Sequence, residues 1–279
     1  MECNNCKSKE VEVLYRLKDY EVLECRKCRL RFSYPPLKHN YEKDYFTGEH
    51  KKYFSSCKKG YDENDLKIKN FKHGLKEIEK FAKKGKIFDL GCATGVFLDI
   101  CKKNRWKSYG MDISKYATSY AKKTFKVHAD AGEITKTKNK KEFFDVVTMW
   151  DFIEHVNNPF ETLAELKKML KKGGILFIST INEESLMNSI ADFLYKISFG
   201  AIKKPVELLH PPQHLTHFSE KTLNSVLKRL SFKIISTQKL EVPIENFEGG
   251  FFKKKIIQVF YFFQKMLNRE YMLWVIAKK

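Results

Sequence analysis

Apolar residues return at helical spacing from residue 66 onward, and this is the first strong pattern along the chain. The positions are Leu66, Ile68, Phe71, Leu75, Ile78 and Phe81. This spacing gives one apolar face to a helix, and we expect Gly85 to end that helix before a strand begins.

Short apolar runs then alternate with helical stretches. The runs cover residues 87–90, 109–111, 127–129, 146–150 and 175–179, followed by 232–240 and 271–277. Apolar strands separated by helices are typical of a parallel sheet that is covered on both faces. The pattern predicts an α/β, Rossmann-like fold with a doubly wound, mostly parallel, seven-stranded sheet within residues 66–279.

Two helices in this pattern carry end signals. Asn158 can cap a helix that has Pro159 at its first position, and we expect Gly173 and Gly174 to end it. Ser219 is expected to cap a later helix.

Two segments depart from the alternation. Residues 186–218 form an insertion on the expected acceptor side, and its aromatic first part is either a lid or an extra packed helix. Residues 251–267 are apolar and basic by turns, which favours a packed helix, with an amphipathic helix against a membrane as the alternative.

The N-terminal segment contains two cysteine pairs, Cys3 with Cys6 and Cys25 with Cys28, and eighteen residues separate the pairs. Each pair can place two thiolates on a tight turn, and two pairs can enclose one Zn²⁺. We therefore predict a zinc-ribbon-like module at residues 1–40 with a structural zinc, since four thiolates leave no open position on the metal. Four free cysteines in a loop are the alternative. Residues 41–65, after the Pro35-Pro36 pair, are interpreted as a linker or lid.

The chain is strongly basic, with 53 Lys and Arg against 34 Asp and Glu. The lysines are spread over nearly every predicted helix, which is typical of solvated faces rather than a nucleic-acid groove. Arg26, Arg29 and Arg31 are a local exception beside the second cysteine pair. The sequence shows neither a signal-peptide core nor an apolar run of membrane-spanning length, so we expect a cytoplasmic protein.

Three acidic residues follow three successive strands. Asp89 lies at the end of the first strand, before a loop containing Gly91 and Gly95, and Asp112 and Asp130 end the next two. Open sheets bind ligands at this edge, where an Asp can accept from ribose hydroxyls. Asp89 stands where a dinucleotide fingerprint would begin with Gly, and it suits a cationic cofactor better than a pyrophosphate. This argues against a nicotinamide-dependent oxidoreductase, although each Asp could also be a turn or helix cap.

These residues resemble the class I S-adenosylmethionine-dependent methyltransferases, particularly those similar to ubiquinone-biosynthesis O-methyltransferases and to glycan and natural-product methyltransferases. The resemblance covers roughly residues 66–279 and rests on the segments 89–95, 110–112, 128–130, 144–156 and 211–219. Some enzymes of this group also carry an N-terminal zinc-binding module, which favours a glycan acceptor.

The resemblance implies a site for S-adenosylmethionine. The methionine part would be held by the loop residues Asp89, Gly91, Cys92, Ala93 and Gly95. Asp112 would bind the ribose, Ile113 and Ala131 the adenine face and edge, and Asp130 the adenine amino group. Trp150, at the end of the fourth strand, is included among the cofactor-binding residues.

The candidate catalytic residues are His155, His214 and Asp151, because they follow strands whose ends would face the cofactor. A histidine near an acceptor hydroxyl can take its proton. A loop-bracing role for His155 stays open, and His217 is interpreted as a packing residue. The segment 210–217 could also gather histidines around a metal, but no carboxylate joins them within it.

The predicted function is O-methylation of a small molecule or a sugar or glycan precursor, by in-line transfer with a His base. The alternative is an RNA or protein methyltransferase that holds its polymer through the basic ribbon.

Overall fold

The computed structural model describes residues 2–3, 5–37, 65–136, 140–241 and 251–279, without the side chains of residues 251–254 and 256. Apart from residue 65, the predicted linker or lid at 41–65 lies outside the described residues. Within the described ranges, the helices are too short or too polar to span a membrane.

The N-terminal module is a small antiparallel sheet. It contains β1 (Val11–Arg16), β2 (Glu21–Cys25) and β3 (Arg31–Tyr34). Strand β3 ends at Tyr34, directly before Pro35.

The large sheet has seven strands among the described residues, which confirms the predicted fold class. In chain order the next strands are β4 (Lys86–Leu90), β5 (Lys107–Asp112), β6 (His128–Ala131), β7 (Phe144–Trp150), β8 (Leu170–Ile181), the two-residue β9 (Thr216–His217), β10 (Lys233–Leu240) and β11 (Met272–Lys278). The large sheet has the order β10-β11-β8-β7-β4-β5-β6. Since β11 is antiparallel to both neighbours and the other pairs are parallel, the carboxyl ends of six strands meet at one edge.

Helices cover both faces of this sheet. Their bounds are α1 (Leu66–Glu79), α2 (Val96–Lys103), α3 (Lys115–Phe125), α4 (Pro159–Met169), α5 (Leu186–Ile197), α6 (Lys204–Leu209), α7 (Glu220–Arg229) and α8 (Phe251–Met266), with a 3₁₀ turn at Ile153–His155. Asn158 accepts from the Glu161 amide and Ser219 from the Thr222 amide, so both predicted caps are confirmed.

Two local expectations about helix ends were wrong. Helix α1 ends at Glu79, well before Gly85, and Phe81 beyond it is 44% exposed. Helix α4 ends at Met169 because Leu170 is already extended and pairs with Phe144, which places Gly173 and Gly174 inside β8. Helix α8 is packed on one side, where Gln264 is buried and Phe260 and Tyr261 are half-buried, whereas the large apolar side chains at residues 259, 262, 263 and 266 on the other side are exposed.

The N-terminal module is joined to the large domain by a strand pair and by a common apolar cluster. Strand β3 pairs with β9, with Arg31 opposite His217 and Phe32 opposite Thr216. Buried Phe32 belongs to the same apolar cluster as Leu90 of the large sheet. The ribbon is therefore packed onto the domain that carries the strand-end acids.

Candidate active site

The loop after β4 turns sharply towards α2. Gly91 and Gly95 have φ angles of 80° and 82°, in the left-handed region. A Cβ on Gly91 would lie 2.2 Å from the Phe152 ring, so a side chain is excluded there by space as well as by conformation. Ala93 also has a positive φ, 46°. An Ala in this conformation carries a conformational cost of about 1 kcal/mol.

Asp89 lies beneath this loop and is 2% exposed. One carboxylate oxygen accepts a 2.7 Å hydrogen bond from the Thr148 hydroxyl on the neighbouring strand. Burial raises the pKa of Asp89 to about 8, although the Thr148 bond opposes this. A cation bound beside Asp89 would favour the charged carboxylate, so the position suits a positively charged cofactor group.

Asp112 ends β5 and ties the two loops together. Its two oxygens accept from the backbone amides of Ala93 and Ser114, each at 2.9 Å. Burial raises its pKa. A carboxylate has about four acceptor positions, so both backbone bonds are compatible with the predicted ribose contact.

The residues expected around adenine lie at the open end of the same edge. Ile113 is 53% exposed, and Asp130 and Ala131 are also exposed. The Asp130 carboxylate lies 3.4 Å from the Lys122 ammonium group. An apolar side chain and a carboxylate are thus both exposed to solvent at the position where the resemblance places the adenine ring.

Trp150 and Asp151 lie at the end of β7 and line a cavity of about 240 Å³. The Trp150 ring is buried against Phe71 and Trp274, and its Nε1 is buried without a hydrogen-bond partner among the described residues. Asp151 accepts a 2.8 Å bond from the Ser179 hydroxyl. These two residues therefore face a space on the β7–β8 side of the cofactor loop.

The other residues that line this cavity were not predicted from the sequence. Lys67 and His73 come from α1, and Glu241 follows β10. Both carboxylate oxygens of Glu241 are buried without partners among the described residues, and burial, together with Glu270, raises its pKa to about 7. No motif marks these positions, because they come from two elements that are distant in sequence.

A second group of polar side chains lies beyond Asp151. The ligand atoms of Glu154, His155 and His214 lie within 4.8 Å of one another, and the two imidazole rings are 4.9 Å apart. Burial, followed by the charge of Asp151, raises the pKa of Glu154 to about 8. The structure thus brings all three predicted catalytic residues, Asp151, His155 and His214, to one part of the edge. A carboxylate and two imidazoles are also ligands that a divalent metal accepts.

The two candidate histidines have different environments. His155 Nδ1 is 2.9 Å from the Gln213 carbonyl. Since a carbonyl accepts, Nδ1 carries the proton and Nε2 is the acceptor atom of the neutral ring. Burial, followed by repulsion from His155 and His210, lowers the pKa of His214 to about 3. His214 is therefore a weak proton acceptor.

His210 and His217 belong to a different cluster with Glu183, and all three are buried. Glu183 Oε1 lies 2.9 Å from His210 Nε2 and 2.6 Å from an Arg31 guanidinium nitrogen. The predicted histidine group of 210–217 is thus divided between two clusters, and each contains a carboxylate from another segment. His217, 6% exposed, bonds to Ser33 at 3.1 Å, in agreement with the packing role.

The cysteine pairs converge as predicted. Cys3 and Cys28 have sulfurs 3.5 Å apart, as do Cys6 and Cys25, and the four sulfurs lie within 4.8 Å of one another. Four sulfurs at about 2.3 Å from a tetrahedral zinc would be about 3.8 Å apart. The arrangement fits the predicted metal.

The three arginines of the module are paired with carboxylates. Arg26 lies 3.1 Å from Glu12, Arg29 2.7 Å from Glu24, and Arg31 2.9 Å from Glu24. Each guanidinium thus has a carboxylate partner, and the side chains of Arg26 and Arg29 remain 64% and 67% exposed.

A family model described as a methyltransferase domain matches residues 65–237. This chain belongs to that family. The match includes the acid series, the cofactor loop and the segment from Trp150 to His217, and it agrees with a class I S-adenosylmethionine-dependent methyltransferase fold.

Two relatives are similar to this chain in sequence. It is 29% identical to the ubiquinone biosynthesis O-methyltransferase of Pasteurella multocida (strain Pm70) over 150 residues, 45% of this chain and 62% of that protein. The match thus spans about three fifths of that relative. The chain is 28% identical over 209 residues to the uncharacterized protein MJ1123 of Methanocaldococcus jannaschii, covering 72% of this chain and 94% of that one.

A solved structure supports the fold. The S-adenosylmethionine-dependent methyltransferase of Thermotoga maritima, described as a possible histamine N-methyltransferase, aligns with a TM-score of 0.56 at 19% identity. The alignment covers 85% of this chain and 97% of that chain.

Proposed function

We propose that this chain transfers a methyl group from S-adenosylmethionine to a hydroxyl of a small molecule or sugar precursor. The observation that carries the proposal is the position of Asp151. It lines the cavity at the end of β7, and its charge acts on Glu154 in the group that contains His155. The acceptor space and a proton-accepting group therefore adjoin on the edge that carries the cofactor motif.

When bound, S-adenosylmethionine supplies a methyl group on a positively charged sulfur. Asp89 provides a buried carboxylate near the loop, and Asp112 holds that loop through Ala93. Ile113, Asp130 and Ala131 are the residues we assign to the adenine end.

His155 is the base we propose. Its Nδ1 proton is directed to the Gln213 carbonyl, which leaves Nε2 as the proton-accepting atom. His214 packs against the His155 ring, and its lowered pKa makes it a positioning group rather than the base. A positioned base contributes about 10² to 10⁴ in rate.

The cavity favours a small acceptor group. Its volume of about 240 Å³ is below the range of roughly 300 to 1,000 Å³ that is usual for ligand pockets. Trp150 and Trp274 line this cavity, and their rings can contact the flat face of an aromatic or sugar ring.

We also propose a structural zinc at Cys3, Cys6, Cys25 and Cys28. A hydrogen bond with Cys3, followed by burial, raises the pKa of Cys28 to about 12, so the metal-free cluster favours protonated thiols. A bound zinc would stabilise the thiolates and with them a module too small for a large core.

The test combines cofactor binding with methyl transfer. Calorimetry should show binding of S-adenosylmethionine, and the purified chain should pass a labelled methyl group to a small-molecule or sugar fraction rather than to RNA or protein. A His155→Gln variant should keep cofactor affinity and lose about 10² to 10⁴ in rate. The control is His128→Gln, since His128 begins β6 at the opposite end of a strand. Lack of cofactor binding would refute the proposed function. An unchanged rate in His155→Gln would refute only the assignment of His155 as the base.

A further inference from the structure

Helix α5 has an exposed apolar face. Ile190, Phe193 and Ile197 are 43%, 61% and 54% exposed, and their spacing of three and four residues places them on one side. The opposite side packs on the ribbon, where the Tyr15 hydroxyl donates to Asp192 at 3.0 Å. Exposed apolar residues continue beyond the helix at Phe199, Ile202 and Leu208. The side of α5 away from the ribbon thus carries three exposed apolar side chains, with exposed Lys196 beside them.

Helix α8 has a second face of this kind. Its exposed large apolar side chains are Val259 (57%), Phe262 (65%), Phe263 (45%) and Met266 (61%), followed by Leu267 (49%). Their spacing again places them on one side of a helix. An apolar surface of this extent on a water-exposed helix marks an interaction site.

The two helices adjoin. The backbone amide of Leu186, the first residue of α5, donates to the carbonyl of Arg269, three residues after α8 ends, at 2.9 Å. The Arg269 guanidinium in turn donates to the Glu184 carbonyl at 3.1 Å. The N-terminal end of α5 is thus fixed beside the C-terminal end of α8.

Charge identifies the kind of partner. The α8 segment contains four lysines and no acidic residue, and Lys196, Lys203 and Lys204 are exposed on and after α5. A second copy would bring together two chains of +19 charge, which repel each other, whereas an anionic surface attracts this arrangement. Helices with one aromatic and aliphatic face and a lysine-rich polar face lie in the interface of anionic bilayers.

We propose that the apolar faces of α5 and α8 form a docking surface for an anionic lipid bilayer. Helix α5 begins five residues after Ile181, the end of β8, and that strand carries Ser179 in the cavity wall and Thr180 bonded to Glu154. Docking would hold the acceptor side of the sheet edge near the lipid surface. The inference adds a surface to the proposed function, and it can be tested without cofactor or acceptor.

The experiment is co-sedimentation of the full chain with vesicles of phosphatidylcholine, with and without roughly 30% phosphatidylglycerol. We expect binding to the anionic vesicles at about 0.15 M salt, little to the neutral ones, and weakening as salt rises. A Phe193→Asp and Phe262→Asp double variant should bind at least about tenfold more weakly, because two apolar anchors are replaced by charges. Phe81→Asp is the matched control, since Phe81 is 44% exposed but follows α1.

A second measurement uses the unmodified chain, in case the double variant folds poorly. Hydrogen exchange at residues 186–202 and 257–267 should slow when anionic vesicles are added. Absence of binding to anionic vesicles, or equal loss in the Phe81→Asp control, would overturn the proposal. So would a concentration-dependent dimer that the double variant abolishes, because a second copy would then cover the surface.

Discussion

The hydroxyl of Ser33 in the ribbon donates a 2.8 Å hydrogen bond to the backbone carbonyl of His214 in the candidate active site. The Ser33 amide also donates to the Leu215 carbonyl at 3.1 Å. The segment that carries His214 is therefore held by the edge strand of the ribbon, and the ribbon supports the acceptor side of the site.

Replacement of Ser33 by Ala should destabilise this contact. The change leaves the buried His214 carbonyl and the His217 ring without the hydroxyl, so we expect a loss of about 1 to 3 kcal/mol in the free energy of unfolding. Chemical denaturation measures it. Ser189→Ala is the control, since its hydroxyl bonds within α5 to the Ser185 carbonyl, and a loss there as large as in Ser33→Ala would contradict the prediction.

Replacement of Cys25 by Ala should remove the metal from the ribbon. Purified protein should contain about one zinc per chain by elemental analysis, and Cys25→Ala should contain much less, because a three-thiolate site binds zinc more weakly. The variant should also melt at a lower temperature. Cys101→Ala should keep its zinc, since Cys101 is buried in α2 away from the cluster; zinc-free protein purified without chelator would argue against the site.

Cofactor binding should depend on pH through Asp89. A cationic ligand needs the charged carboxylate, so affinity should rise roughly five- to tenfold per pH unit from pH 6 to 8 and level off above pH 8. Without cofactor, the raised pKa has the opposite effect on folding. The folded protein holds a proton that the unfolded chain releases near pH 4, so this group's contribution to stability falls between about pH 4 and 8.

Calorimetry of Asp89→Asn across this range checks the prediction. The variant should bind the cofactor more weakly, without the rise in affinity towards pH 8. Asp145→Asn is the control, because Asp145 bonds to the Lys86 amide and to Lys171 at the other end of the strands. Unaltered pH dependence in Asp89→Asn would assign the titration to another group.

The protein should lose stability in acid because Glu183, which bonds to Arg31 of the ribbon, becomes protonated. Burial acts against its charge, but His210, His217 and Arg31 together lower its pKa to about 2. Since this lies below the unfolded value of about 4.3, the stabilisation is present above about pH 4.3 and is lost as the pH falls towards 2. Its size is about 3 kcal/mol.

Denaturation of Glu183→Gln between pH 2 and 7 tests this effect. The variant should be less stable near pH 7 and should lose less of its remaining stability in acid than the unmodified chain. Glu184→Gln, at the adjacent half-buried position, should follow the unmodified chain. A parallel acid response in Glu183→Gln would show that other carboxyls control it.

The sequence predicted the fold because local signals and the tertiary structure agree. The alternation of apolar runs predicted the seven strands. Asn158 and Ser219 predicted the starts of two helices, and both residues cap those helices in the structure. The prediction failed at Gly173 and Gly174, where pairing with β7 extends the chain from Leu170 onward. Long-range pairing there overrides the local preference of glycine to end a helix.

The site residues that lie at strand ends could be predicted from the sequence. Those that meet through the packing of distant segments could not. Asp89, Asp112 and Asp130 follow their strands directly, so their common edge follows from a parallel sheet. Glu183 meets its partners, and Glu241 reaches the cavity wall, through packing between elements that are remote in sequence. No spacing in the sequence predicts either position. The exposure of the α8 face was also hidden, because amphipathic periodicity looks the same for a packed helix and an unpacked one.

The sharing of an apolar core by Phe32 and Leu90 bears on how this protein could be divided. A fragment that begins at residue 66 would leave the β9 edge unpaired and would expose the apolar cluster that Phe32 shares with Leu223 of α7. It should therefore aggregate rather than behave as an independent catalytic unit. The two parts should also melt in one cooperative transition. The ribbon is therefore an integral part of the folded enzyme. A different catalytic domain could accept it only if that domain supplied a strand to pair with β3, as β9 does here.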